Sequence, residues 1–272
     1  MRALVLNLAG QSARLALQQA QLAQLGIAWE RIEATTPASL SRPAGDPYWS
    51  TWERPLRDTE KAVLESHRRA WARVAETGAP WLILEDDALL ARGTGRLLAA
   101  VEGRTDMDHL TLETRGRRKL LGRPVEGLPL RRLYLDRTGA AAYVLWPSGA
   151  RILLARTARA AALADAAICS AWRMRSFQAV PALAIQIDQC ARYGMAPPIP
   201  VKSTIDVQRK PDLREGFGPG RRLAFRLRRI GAQLRMGLRQ LSHLPLARRE
   251  LVPPAPAADW PALERPAGVQ GG

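Results

Sequence analysis

The feature that most constrains the fold of this chain is a short apolar segment ending in three consecutive carboxylates, with the sequence WLILEDD over positions 81–87. Four bulky apolar residues in a row are typical of a buried strand, so the acids are expected at its C-terminal end. Open α/β sheets build their ligand sites at that edge. The segment therefore predicts a site at the end of a central strand.

The three acids, Glu85, Asp86 and Asp87, indicate what such a site binds. Neighbouring carboxylates repel one another and titrate as a coupled group unless a cation lies among them. Hard oxygen ligands suit Mg²⁺ or Mn²⁺. The cluster predicts a metal ion and a phosphate-bearing ligand. A solvated acidic turn is the alternative, because acid-rich turns are common.

The chain before the acids alternates between strand and helix patterns, with Gly26 as a helix stop and Asp58 as a predicted helix N-cap. The predicted elements are a strand at 3–8, a helix at 12–25, a strand at 27–34, a ligand-covering loop at 37–55 and a helix at 59–76.

The alternation continues after the acids. The predicted elements are a helix at 97–101, a strand at 109–112, a basic loop at 114–119, paired strands at 133–134 and 140–146, and a helix at 147–163. Residues 179–187 are apolar with Pro181 near their start, which favours an edge strand or a loop lining a cleft. Alternating strands and helices favour an α/β fold with a mainly parallel sheet flanked by helices.

Composition adds constraints on partners and compartment. A formal net charge of +16 is typical of proteins that bind nucleic acid or an anionic membrane surface. Nearly all the basic residues are Arg in a chain rich in Ala, Leu and Pro, however, and G+C-rich coding produces the same pattern. Cys169 and Cys190 predict neither a zinc site nor a disulfide framework, and fit a reducing, cytoplasmic setting. Neither a signal peptide nor a membrane span is predicted.

The sequence changes character near its C-terminal end, which divides the chain into a domain at 1–212, a basic helical tail at 213–250 and a disordered Pro/Ala/Gly-rich end at 251–272. Arg221 to Arg239 carry seven Arg and no acid, and apolar residues recur on one helical face. Such a helix is expected to lie on an anionic bilayer surface. A solvated helix packed on the domain is the alternative.

Further motifs occur in order along residues 1–210. The first strand ends in Asn-Leu with an Arg several residues on, and the helix at 59–76 carries a Glu, then Ser-His and an aromatic residue. A later segment has Gly-x-x-Ala-Tyr and Gly-Ala, followed by an Asp, a Pro and a Gln. These residues are Asn7, Leu8, Arg14, Glu60, Ser66, His67, Trp71, Gly139, Ala142, Tyr143, Gly149, Ala150, Asp165, Pro181 and Gln186. Together with Leu-Glu-Asp-Asp they resemble the bacterial lipopolysaccharide-type glycosyltransferases of family 25, which include lipooligosaccharide galactosyltransferases.

The resemblance implies a GT-A-type, Rossmann-like fold that binds a nucleotide sugar, with the acids holding Mn²⁺ or Mg²⁺ on the diphosphate. Asp87 is the first choice for the direct metal ligand, and Asp86 for a ligand or a sugar-hydroxyl contact. Glu85 is a weaker choice of ligand because adjacent side chains on a strand point to opposite faces. The donor-binding residues that the resemblance implies are Asn7, Arg14, Glu60, Ser66, Glu85, Asp86, Tyr143 and Gln186.

The catalytic groups remain open at this point. The family is similar to inverting transferases, in which the acceptor hydroxyl attacks the anomeric carbon directly and needs a carboxylate base. Asp165, which matches a family position, and Asp188, beside the apolar segment 179–187, are both candidates. His67 lies on the apolar stripe of its helix, so it is either a core histidine or a catalytic residue. The basic residues at 115–119 are candidates for added charge near the diphosphate, or are simply solvated.

The sequence thus predicts a metal-dependent glycosyltransferase that moves galactose or glucose from a UDP-sugar to lipopolysaccharide or a related lipid-linked glycan. It is expected in the cytoplasm, with its tail on the inner face of the bacterial inner membrane. One alternative is a non-catalytic basic protein that binds membrane or nucleic acid, although no DNA-reading motif and no interleaving of aromatic and basic residues occurs, so no specific nucleic acid is expected. A nucleotidyltransferase is another, against which the lack of a Gly-rich, Lys-containing phosphate loop argues.

Overall fold

Strands and helices alternate along the described chain, residues 1–199 and 217–261 of a computed structural model. The strands are β1 Arg2–Asn7, β2 Trp29–Glu33, β3 Trp81–Glu85, β4 Ala88–Leu90, β5 His109–Thr111, β6 Arg118–Pro124, β7 Leu130–Leu135, β8 Ala142–Leu145, β9 Ser176–Ala179, β10 Ala184–Gln186 and β11 Arg248–Leu251. The helices are α1 Ser12–Gln24, α2 Asp58–Thr77, α3 Thr94–Val101, α4 Pro147–Arg159, α5 Ala164–Cys169 and α6 Pro219–Ser242.

Nine of the strands form one sheet in the order β11-β6-β7-β9-β5-β8-β3-β1-β2, and β4 pairs with β10 in a second, two-stranded sheet. Within the large sheet β1, β2, β3, β5, β6 and β9 run in one direction, while β7, β8 and β11 run in the other. The α/β class and the mainly parallel strand direction predicted from the sequence are confirmed. The antiparallel strands make the sheet a mixed one.

Side-chain alternation along the central strands builds two apolar layers, one on each face of the sheet. Ala3 and Val5 of β1 pack toward one face together with residues of α1 and α3. Leu4 and Leu6 pack toward the opposite face together with α2, α4 and α5. The central strands are therefore covered on both sides, which is why they carry the continuous apolar runs seen in the sequence.

The predicted pairing of strands at 133–134 and 140–146 is wrong. β7 pairs with β6 and β9, whereas β8 lies between β3 and β5. All four residues of β8 are buried, so this strand occupies a central position that needs apolar side chains on both faces. β7 has three buried and three half-buried residues and lies farther out in the sheet.

Lys119 departs from the predicted solvated or phosphate-facing loop. It lies in β6 with a buried side chain, and its ammonium group donates to the Asp136 carboxylate and the Gln178 amide oxygen, each at 2.6 Å. A buried ammonium group is costly unless it is paired and hydrogen-bonded, and Lys119 is both. It therefore stabilises the fold and does not face a ligand.

The C-terminal part of the described chain packs on the sheet. The basic helix predicted over Arg221 to Arg239 is present as α6, and β11 adds a strand to β6. The predicted disorder is wrong for 251–261, because Val252, Pro253 and Ala255 exchange backbone or side-chain hydrogen bonds with the domain. Composition alone missed these pairings. The predicted boundary at 212/213 and the predicted disordered end at 262–272 lie outside the described residues. None of the described helices is long and apolar enough to cross a membrane.

Candidate functional site

Two adjoining clefts open at the C-terminal end of β3, where the sequence predicted a site. The β2-side cleft, about 900 Å³, is lined by Arg14, by residues 34–37 after β2, by α2 and by the three acids. The α5-side cleft, about 680 Å³, is lined by Glu60, Glu113, Arg115, Asp165 and Gln186, among others. Val63 and Glu85 line both clefts. Glu85 therefore forms part of the wall between two chambers.

The direction in which each acid points follows from strand alternation. Glu85 continues the α2 face of β3, whereas Asp86 continues the α1 face. Asp86 accepts hydrogen bonds from the Asn7 amide at 2.9 Å and from the Arg14 guanidinium at 3.0 Å. Burial raises the pKa of Asp86, and Arg14 and Asn7 act against that shift. Asn7, Arg14 and Asp86 therefore form one cluster, which joins two motifs that are separate in the sequence.

Asp87 has a different partner, Gln186. The Gln186 amide donates to both Asp87 carboxylate oxygens at 3.3 Å and to Glu85 at 3.4 Å. Burial, and next the charge of Glu85, raise the pKa of Asp87 to about 7. Glu85 and Asp87 thus face a common amide and repel each other, which is the electrostatic situation that a bound cation relieves.

His67 is fully buried and holds Glu85 in place. Its Nε2 lies 3.1 Å from Glu85 Oε1, and its Nδ1 lies 3.0 Å from the Tyr143 hydroxyl. The Trp71 indole donates to the same hydroxyl at 2.7 Å. Because a carboxylate only accepts, Nε2 carries the proton, and the Tyr143 hydroxyl donates to Nδ1. His67 and Tyr143 therefore position Glu85. His67 lines the β2-side cleft, whereas Tyr143 lines neither cleft.

Two of the predicted donor-binding residues anchor the cleft walls through α2. Ser66 Oγ accepts from the Thr35 backbone amide at 2.8 Å, which fixes the segment after β2 against the helix. Glu60 binds the Arg54 guanidinium through both carboxylate oxygens at 2.8 Å and accepts the Arg57 amide at 2.9 Å. Arg57 precedes α2, so the predicted N-cap at Asp58 is instead the first helical residue.

The structure separates the two candidate bases. Asp165 lies in the first turn of α5 and lines the α5-side cleft, where burial raises the pKa of its carboxyl group. Asp188 is exposed, lines neither cleft and pairs with Arg115 at 2.8 Å. Arg115 in turn lines the α5-side cleft. Of the two, Asp165 therefore lines a cleft, whereas Asp188 contacts a residue of the cleft lining.

Sequence reasoning missed three residues of the site. Glu113 is buried in the α5-side cleft, and burial raises its pKa to about 8. Gln18 and Gln21 of α1 are buried and donate to the backbone oxygens of the turn that follows β3, at Asp86 and Ala88. The signal available in the sequence was that Gln18 and Gln21 are three residues apart and so lie on the same face of the helix. Polar side chains on a buried face need hydrogen-bond partners.

The carboxylates fit a divalent cation that shares its coordination with a ligand. Among the described residues no group of three or more His, Cys, Asp or Glu side chains is arranged to hold a metal ion by itself. Mg²⁺ sites commonly use one or two carboxylates and complete the shell with water and substrate phosphates. Asp87, with Glu85 facing the same amide, supplies that kind of partial donor set.

Comparisons with known proteins identify the family of the chain. A comparison with curated proteins finds no match for the sequence. The family description "Glycosyltransferase family 25 (LPS biosynthesis protein)" matches residues 1–168, a stretch that holds the three acids, His67 and Asp165 and stops before Gln186 and Asp188. Because this match covers more than half of the chain, the protein belongs to glycosyltransferase family 25.

Proposed function

We propose that this protein is a metal-dependent, inverting hexosyltransferase of the GT-A type, which moves galactose or glucose from a UDP-sugar to lipopolysaccharide or a related lipid-linked glycan. Family membership supports glycosyl transfer in lipopolysaccharide biosynthesis. The observation that carries the finer proposal is the meeting of two clefts at Glu85, one holding Asp87 and the other holding Asp165.

The UDP-sugar occupies the β2-side cleft in this proposal. The cleft lies beyond the C-terminal ends of the parallel strands β1 and β3, where nucleotides bind in open α/β sheets. Arg14 lies at its edge and supplies positive charge suited to a diphosphate. Ser66 and Thr35 fix the wall opposite to the acids.

Asp87 is the residue proposed to hold Mn²⁺ or Mg²⁺. A cation held there would supply positive charge to stabilise the departing nucleotide diphosphate. Asp86 remains a candidate second ligand, although its oxygens accept from Asn7 and Arg14. His67 and Gln186 fix Glu85 beside this position, so the acidic wall keeps its shape when the donor enters.

The glycan acceptor occupies the α5-side cleft, and Asp165 is the proposed base. The acceptor oxygen forms a bond to the anomeric carbon while the bond from that carbon to the diphosphate oxygen breaks, and the hydroxyl proton passes to Asp165. A carboxylate with a raised pKa is a stronger base than an exposed one, which suits this role. A single displacement of this kind inverts the anomeric configuration.

The test uses the full chain with UDP-galactose and UDP-glucose, each with Mn²⁺, with Mg²⁺ or with excess EDTA. Thermal unfolding detects donor binding, because a ligand that binds only the folded state raises Tm by mass action. We expect a metal-dependent rise in Tm and metal-dependent UDP release. Asp87→Ala should abolish both, while Asp106→Ala, which removes an exposed carboxylate, should leave both unchanged. Full activity of Asp87→Ala, or of the native chain in EDTA, would overturn the metal assignment.

A further inference from the structure

Helix α6 lies on the domain along one of its faces. Phe225 is buried, and Met236 packs beside Leu120 and Leu135 of the sheet. The Arg239 guanidinium donates to the Tyr134 backbone oxygen at 2.7 Å. At 100° per residue these three positions of α6 fall on a single face of the helix.

The opposite face of α6 carries a row of large apolar side chains. All of them are more than half exposed, between 51% for Ile230 and 67% for Leu238. Their spacing of three or four residues aligns them along the helix, directly across its axis from Phe225 and Met236. This apolar stripe consists of Leu223, Leu227, Ile230, Leu234, Leu238 and Leu241. Because α6 has 24 residues, the helix that carries the stripe is about 36 Å long.

Three more exposed leucines follow the helix in the sequence. Leu244, Leu246 and Leu251 are also more than half exposed. In the described residues, every large apolar side chain with such exposure lies between positions 223 and 251. A contiguous exposed apolar surface of this kind marks an interaction site, since scattered single residues are the norm elsewhere on soluble proteins.

The charges around the stripe are positive. Residues 219–242 include seven Arg and no acid, and at 100° per residue Arg226 and Arg235 lie on either side of the stripe. Leu244 and Leu246 line a groove together with Arg123, Arg131 and Arg248. Arg131 also pairs with Glu250 at 2.7 Å. Arg side chains that flank a row of leucines suit a surface with an apolar interior and anionic head groups. A symmetric second copy would instead bring like charges together.

We propose that the apolar stripe of α6 docks the folded protein on an anionic lipid bilayer, with the leucines in the acyl region and the surrounding Arg side chains at the lipid phosphates. The helix lies in the plane of the membrane while its opposite face stays bound to the domain. The docking surface is separate from both clefts, so this inference goes beyond the proposed transfer reaction. Membrane binding and sugar transfer can therefore fail independently.

The test is co-sedimentation of the full chain with vesicles of phosphatidylcholine alone or of phosphatidylcholine mixed with phosphatidylglycerol. We expect binding to the anionic vesicles that weakens as salt rises, and weak binding to the neutral ones. The triple variant Leu227→Gln/Leu234→Gln/Leu238→Gln should bind about tenfold or more weakly. Its Tm should match that of the native chain, because the three side chains are exposed in the folded state.

A second measurement locates the contact. An environment-sensitive fluorophore on Leu234→Cys should shift to the blue when anionic vesicles are added, because its surroundings become apolar. The same probe on Gln24→Cys, an exposed position at the end of α1, is the matched control and should not respond. Unchanged vesicle binding in the triple variant, equal responses of the two probes, or a lipid-free dimer that the triple variant abolishes would each overturn the proposal.

Discussion

The Gln186 side-chain nitrogen lies 3.3 Å from both carboxylate oxygens of Asp87, and the same nitrogen reaches Glu85 at 3.4 Å. One amide thus bridges two carboxylates that belong to different positions of the acidic segment. β10 supplies this bridge because it pairs with β4, directly after the acids. Residues that orient a metal ligand in this way affect metal affinity without touching the metal.

Gln186→Met tests the bridge, because it keeps the size of the side chain and removes its donor. We expect the Mn²⁺ concentration for half-maximal activity to rise about tenfold, since the Asp87 carboxylate then loses the donor that orients it. Initial rates of UDP release over a Mn²⁺ titration measure the effect. Gln189→Met, three residues further on, is the control, and an unchanged titration in Gln186→Met contradicts the prediction.

The His67 ring should carry its proton on Nε2 alone. Glu85 requires a donor there, and the Tyr143 hydroxyl already donates to Nδ1. Nitrogen–proton correlation spectra of histidine-labelled protein at neutral pH distinguish the two tautomers. Tyr143→Phe removes the donor to Nδ1 and leaves the Trp71 indole without its partner, so a loss of about 1–3 kcal/mol in the free energy of unfolding is expected. A proton on Nδ1 in the native chain rules out this arrangement.

Asp165 and Asp188 should respond differently to the same substitution. Asp165→Asn is expected to lower kcat by about a hundredfold or more, because it removes the proposed base, while donor binding measured by Tm is kept. Asp188→Asn should stay within about threefold of the native kcat, since a partly exposed ion pair contributes little. The reverse order of effects would assign the base to Asp188.

Glu113 should make stability depend on pH. Burial raises its pKa to about 8 from an ordinary 4.5, so the folded state favours the protonated form. Its contribution to the free energy of unfolding is complete below about pH 4.5 and is lost as pH rises through about 8. Glu113→Gln should therefore have a higher Tm than the native chain at pH 9, by roughly 5 °C, and a similar Tm at pH 5.

Thermal unfolding from pH 5 to pH 9 measures this difference. Glu126→Gln replaces an exposed carboxyl group in the turn before β7 and should show no such pH dependence. Parallel pH profiles for Glu113→Gln and the native chain would mean that Glu113 is ionised in the folded protein.

Much of this site could be predicted because its residues lie next to one another in the sequence or share a strand end. The apolar run before Glu85 forms β3, and the parallel pairing of β1 with β3 brings Asn7 beside Asp86. Gln186 came only from the family resemblance, since nothing in its local sequence indicates a contact with Asp87. The pairing of β8 with β3 and the burial of Lys119 depend on long-range contacts, and local patterns do not record those.

The charged partners of Asp86 and Asp188 could not be predicted from the sequence either. Alternation along β3 predicts that Asp86 and Glu85 point apart, and the structure agrees. Alternation cannot say that Arg14 pairs with Asp86, or that Arg115 pairs with Asp188. Partners of charged side chains are set by the tertiary fold, so the sequence alone left Asp165 and Asp188 equivalent.

The shared wall at Glu85 has a kinetic consequence. Because the two clefts share Val63 and Glu85 in their linings, donor and acceptor of the proposed reaction are expected side by side in a ternary complex. Double-reciprocal plots at several acceptor concentrations should then intersect, as in a sequential bisubstrate mechanism, whereas a ping-pong enzyme gives parallel lines. Substitutions at Glu85 should change the Michaelis constants of both substrates together, so selectivity for one sugar cannot be altered at that position without altering selectivity for the other.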